Sequence, residues 1–78
     1  MNSEKTYVIK RGANENVRIT LREYKGKQYV DIRLFYLPKN DTEMRPTKKG
    51  ITIYTSELKE VAKGLKEIVG ALPDETIV

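Results

Sequence analysis

Two alternating runs facing each other across Lys25-Gly26 limit the fold more than any other feature of the sequence. "NVRITLREY" (16–24) and "QYVDIRLFY" (28–36) are rich in Val, Ile, Thr and aromatic residues and repeat with period two, as half-buried strands do. A two-residue Lys-Gly link makes them a hairpin in which Tyr24 faces Lys27 and the numbers of every facing pair add to 51.

The alternation then sorts the side chains. Val17, Ile19, Leu21, Val30, Ile32 and Leu34 fall on one face, suited to covering a helix. Arg18, Thr20, Arg22, Tyr24, Lys27, Tyr29, Asp31, Arg33 and Phe35 fall on the other. A solvated sheet face seldom gathers three large rings among four cations. Asp31 is its only acid and stands where it can hold Arg22 or Arg33 in position.

Two further strands are expected, at about 6–11 and 50–54, the last reached through a loop whose Pro38, Pro46 and "KNDT" cluster disfavour a regular element. Beyond Tyr54 the period changes. Leu58, Val61, Ala62, Leu65, Ile68, Val69 and Leu72 trace one amphipathic helix of about four turns, at 56–71. Thr55 or Ser56 is placed to cap it, Glu57 suits the first-turn dipole, and Gly70 and Pro73 end it. The expected class is α+β: a single domain over 1–78 with a four-stranded antiparallel, twisted sheet and one C-terminal helix.

Seventy-eight residues lie near the lower limit for one comfortable core, and a small chain of this kind usually needs a staple. With no cysteine and no histidine, disulfides and the commonest metal ligands are excluded. Self-association is the remaining staple. Leu58, Val61, Leu65, Ile68 and Leu72 step by three and four, the narrow seam of helix-to-helix packing, so a homodimer through the helices is expected. The competing arrangement is a monomer that uses the whole stripe internally.

Charge is uneven along the chain. Residues 1–50 hold twelve Lys or Arg against six acids, net +6, and residues 51–78 hold three against five, net −2, together the overall +4. A basic part beside a mildly acidic one points to phosphates as the partner of one face. Single-stranded nucleic acid fits cations interleaved with rings, because bases stack on aromatic side chains while the cations follow the backbone. Duplex reading fits less well, since the only expected helix alternates Lys59, Lys63 and Lys66 with Glu57, Glu60 and Glu67. Arg45, Lys48 and Lys49 extend the cationic track.

Catalysis is not expected. The candidates are carboxylates such as Asp31, Asp41 and Glu43, and a metal-dependent nuclease needs several acids converging on one spot. No catalytic residue, metal site or cofactor is assigned. The N-terminus has no apolar run of the signal-peptide kind and no stretch reaches the eighteen or so apolar residues of a membrane span, so no membrane partner and an intracellular location are expected.

"VRITLREYKGKQYVDIRLFY" followed by "EMRPTKKGITI" resembles the DNA-binding domain of the transcriptional coactivator family called positive cofactor four and its small bacterial and viral relatives. The likeness covers roughly residues 5–70, and its most specific parts are the "KGK" turn followed by "DIR" and the "EMRPTKKGI" segment. It implies a homodimer of four-stranded sheets with helices at the interface, which binds unpaired or melted DNA across its β surfaces. By position, the resemblance places aromatic contacts at Tyr24 and Tyr36 and basic contacts at Arg22, Lys25, Lys27, Arg33, Arg45, Lys48 and Lys49. It implies service to transcription or replication machinery, in cytoplasm or nucleoid for a prokaryotic or viral protein and in the nucleus for a eukaryotic one. Tyr stands at both ring positions where the family uses Phe and Trp, and Thr47 replaces a loop glycine. Strict alternation puts Tyr36 on the apolar side, so its role needs a bulge or the end of the strand to turn it.

The expected function is therefore single-stranded DNA binding, largely independent of sequence, as a coactivator-like or replication and repair accessory protein, with RNA as another possible strand. Arg18, Tyr29 and Phe35 join the contacts named above. The rival reading is a dimeric protein-interaction module whose cationic face docks on an acidic partner.

Overall fold

A computed structural model describes residues 5–73. The chain runs β1 (Lys5–Lys10), β2 (Glu15–Tyr24), β3 (Lys27–Tyr36), β4 (Arg45–Tyr54) and α1 (Thr55–Ala71). The four strands form one antiparallel sheet in the order β1-β2-β3-β4, followed by the single helix.

The central hairpin has the register that its alternation requires, from Tyr24 opposite Lys27 to Glu15 opposite Tyr36. Lys25 and Gly26 take φ of 52° and 81°. Two successive positive φ values match the right-handed twist of the flanking strands, which is why so short a link works here.

β4 is longer than the expected 50–54. It begins at Arg45 and passes through Pro46, which pairs with Phe35. β4 is an edge strand, where a residue without an N–H is tolerated. Between Arg33 opposite Gly50 and Phe35 opposite Pro46, β4 advances four residues while β3 advances two, so a bulge absorbs the excess. Thr47 fastens it: its hydroxyl donates to the Leu34 carbonyl at 2.9 Å and accepts from the Lys49 N–H at 3.0 Å.

The helix also departs from expectation at its ends. β4 runs into α1 without a linker, so Thr55 and Ser56 already lie in the first turn and the cap falls on Tyr54. The Tyr54 N–H donates to Glu57 Oε1 at 3.0 Å, the return half of a capping box. Gly70 lies inside the helix rather than at its end. Termination belongs to Leu72, whose extended φ and ψ of −82° and 141° are those favoured before a proline.

The core is small. Val30 and Ile53, opposite one another on β3 and β4, are its buried apolar residues, and α1 buries none. Leu65 is 58% exposed and Ile68 60%, with Val61 half-buried. The radius of gyration, 14.8 Å, exceeds the roughly 11–12 Å of a compact chain of this length. Within one chain, then, the sheet leaves most of the stripe uncovered.

Candidate nucleic-acid interface

The polar face is built in cross-strand rows. Register places Val8, Arg18, Arg33 and Gly50 in one row, Thr6, Thr20, Asp31 and Thr52 in the next, and Arg22, Tyr29 and Tyr54 in the third. Tyr24 and Lys27 close the face at the hairpin turn, where Lys25 Nζ stands 5.4 Å from the Tyr24 ring centroid.

The middle of this face is held by polar contacts. Thr20 and Asp31 are buried, and the Thr6 hydroxyl donates to the Thr20 hydroxyl at 3.4 Å. Arg18 and Arg33 lie directly opposite, an arrangement in which like charges repel. The two guanidinium groups avoid each other by turning to different partners. Arg18 lies 4.3 Å from the Phe35 ring centroid and donates to Asn16 Oδ1 at 3.3 Å. Arg33 forks onto Asp31, with Nε to Oδ2 at 3.1 Å and Nη2 to Oδ1 at 2.9 Å, and Nη1 donates to the Thr47 carbonyl at 2.9 Å.

The Asp31 hydrogen bond is the main reason that the Arg33 pKa is raised, with the carboxylate charge adding to it. Of the five N–H groups on a guanidinium, three are used within the chain.

Two depressions follow one another along the face. A cavity of about 670 Å³ is lined by Tyr24, Lys27, Tyr29, Thr52, Tyr54 and the first helical residues. A smaller one of about 460 Å³ is lined by Arg22, Tyr29, Arg33, Phe35, Pro46 and Thr52. Tyr29 and Thr52 border both, so one track runs from the start of α1 to the bulge in β4.

This track brings together Arg22, Tyr24, Lys27, Tyr29, Arg33 and Phe35, with Arg18 and Lys25 beside it. The other expected contacts stand elsewhere. Lys49 lines a small pocket on the apolar side with Arg11, Val17, Ile32 and Leu34. Tyr36 is paired with Arg45, and the β2–β3 register continues unbroken to it, so it keeps the parity of Leu34 at the end of its strand. Lys48 is exposed in the bulge. Arg45 donates through Nε to Asp41 Oδ2 at 2.9 Å. That bond, followed by the backbone N–H groups of Glu43 and Thr42, holds the Asp41 carboxyl below the usual aspartate value.

Tyr54, Thr52 and Gly50 belong to the face and were absent from the expected site. The signal was present in "GITIY", whose alternation sets Thr52 and Tyr54 apart from Ile51 and Ile53. Among the described residues, no cluster of three or more potential ligands could hold a metal ion, and no helix is long and apolar enough to cross a membrane.

Comparison with known proteins gives a consistent result. The sequence profile of the family described as Transcriptional Coactivator p15 (PC4) matches residues 12–64. The RNA polymerase II transcriptional coactivator SUB1 of Saccharomyces cerevisiae is 36% identical over 58 residues, 74% of this chain and 20% of that protein. The RNA polymerase II transcriptional coactivator KIWI of Arabidopsis thaliana is 33% identical over 61 residues, 78% of this chain and 55% of that protein. The chain therefore spans between a fifth and about half of the length of these relatives. Among solved structures, a PC4 homologue from Burkholderia pseudomallei superposes with a TM-score of 0.75 at 35% identity, covering 86% of this chain and 98% of that one. A bacteriophage T5 homologue of the eukaryotic coactivator PC4, implicated in recombination-dependent DNA replication, gives 0.75 at 25% identity, covering 88% and 80%.

Proposed function

The chain belongs to the transcriptional coactivator p15 (PC4) family, and from that premise we propose that it is a homodimeric single-stranded DNA-binding protein that works by binding rather than catalysis. The observation that carries this reading is the continuous track on the polar face, where Tyr29 joins a tyrosine-lined cavity to an arginine-lined depression. Lys27, Arg22 and the two remaining N–H groups of Arg33 neutralise phosphates, while Tyr24, Tyr29 and Phe35 meet bases. Lys25 and Arg18 add charge at its margin, and Lys48, exposed in the bulge, serves a strand that continues past it.

The dimer follows from what one chain leaves uncovered. Leu58, Leu65, Ile68 and Leu72 on α1 and Ile51 on the sheet are exposed, and a second copy joined through the helices covers them. Such a dimer acts inside the cell, where transcription or replication exposes unpaired strands.

Fluorescence anisotropy with labelled single-stranded DNA, duplex DNA and RNA of one length tests the reading. Single strands should bind best, with log affinity falling against log salt at about −0.7 per phosphate neutralised. Binding that ignores salt, or no binding to any of the three, would reject it and leave the cationic face as a contact for an acidic protein.

A further inference from the structure

Building on the single-stranded reading, we infer that the cavity bounded by Tyr24, Tyr29 and Tyr54 takes one unpaired base at a time, so that each chain has one privileged nucleotide position rather than a uniform stacking platform. Three features of the cavity carry this. It is a depression open to solvent with about 670 Å³ of space, larger than its neighbour on this face and within the volume range of small-molecule sites. Two of its rings are directly paired across β3 and β4, Tyr29 half-buried and Tyr54 62% exposed, and Tyr24, 65% exposed, supplies the third from the hairpin end.

Its remaining lining is polar and uncommitted to the fold. Thr52, Thr55 and Ser56 offer hydroxyl donors and acceptors to a base edge, and Lys27 lines the cavity with a charge for the attached phosphate. The rest of the track differs. Around Arg33 and Phe35 the carboxylate of Asp31 and three Arg33 N–H groups are already used within the chain and the Phe35 ring lies under Arg18, which leaves a surface that follows a backbone better than it holds a base. Tyr24, Tyr29 and Tyr54 also lie on the face opposite the exposed apolar one, so pairing of two chains through their apolar surfaces keeps the cavity open.

Tyr54 is the discriminating residue, because its contribution to the helix cap is a backbone N–H that any substitution other than proline retains. The test is a scan in which single abasic sites are moved through a bound oligothymidylate, against wild type, Tyr54→Ala and Tyr54→Phe. One abasic position should weaken wild-type binding by about tenfold, as loss of a stacked base does. Tyr54→Ala should lose about as much on the intact strand and nothing further at that position, while Tyr54→Phe should stay within about twofold of wild type. The salt slope should be the same for all three. Even losses at every position in wild type, or losses from Tyr54→Ala and the abasic site that simply add, would overturn the cavity while leaving single-strand binding intact. A wild type that binds no single strand overturns both. Should Tyr54→Ala fail to fold, the wild-type scan still decides, since even losses reject the cavity and one dominant position supports it.

Discussion

Gly50 stands directly opposite Arg33 in the β3–β4 register, and the guanidinium occupies the space its missing side chain leaves. A Cβ built at Gly50 would lie 2.6 Å from Arg33 Cζ, 2.8 Å from Nη1 and 2.9 Å from the Ile32 carbonyl oxygen. The glycine is thus a condition for the Arg33–Asp31 fork, and the fork aims an arginine that lines the track.

Gly50→Ala should therefore destabilise the fold by about 1–3 kcal/mol, the usual range for overpacking, and weaken single-strand binding by displacing Arg33. Urea denaturation and anisotropy measure the two effects. Combining Gly50→Ala with Arg33→Ala should recover part of the stability but not the binding, because the Ile32 carbonyl still crowds the new methyl group.

Lys25 gives a case in which stability and binding part company. It holds a φ of 52° without being glycine, a backbone state that costs an ordinary residue about 1–2 kcal/mol. Lys25→Gly should raise the denaturation midpoint, and it should lower affinity and reduce the salt slope by about 0.7.

Asp41 should show in its titration that Arg45 is bound to it. Because its folded pKa is lowered, its contribution to stability is fully present above the ordinary aspartate value, about 4, and is lost as pH falls through the folded value. The carboxyl resonance of Asp41, followed by NMR, should titrate below that of an ordinary aspartate. In Arg45→Ala it should move part of the way back upward, since the Arg45 bond is the largest cause of the shift while the backbone N–H groups of Thr42 and Glu43 still hold the carboxyl.

Leu65→Asp should break the proposed dimer without disturbing the sheet, because the side chain is exposed within one chain. A charge buried at the centre of a helix seam should cost about 2 kcal/mol or more of association. Light scattering should give the mass of one chain where wild type gives two, and the dependence of Tm on protein concentration should disappear.

The parts of the fold that were legible in the sequence are those governed by neighbours in the chain. The 16–36 hairpin displays its register because a two-residue turn leaves alternation no freedom, and the helical stripe displays its period because seven apolar residues repeat it. β4 was legible only from Gly50 onward. Pro46 reads as a breaker until the strand is known to lie at an edge, and 45–49 has no aliphatic or aromatic residue whose alternation could have marked it as strand. The cap on Tyr54 was hidden for a similar reason, since Thr55 and Ser56 look like better caps until the strand is seen to run straight into the helix. Of the site, the hairpin supplied Arg22, Tyr24, Lys27, Tyr29 and Arg33, all on one face. Tyr54 needed the pairing of β3 with β4, a contact between residues far apart in the chain.

The junction between β4 and α1 sets the orientation of everything after it. Tyr54 ends a pattern that changes face at every residue, and Thr55 begins one that turns about 100° per residue. With no spacer between them, the two periods share one origin, and the helix stripe is indexed to the face of Ile53 as a gear tooth is to its mate. One residue inserted there would leave both elements intact and rotate the stripe by more than a quarter turn, so that each would be correctly made and wrongly phased.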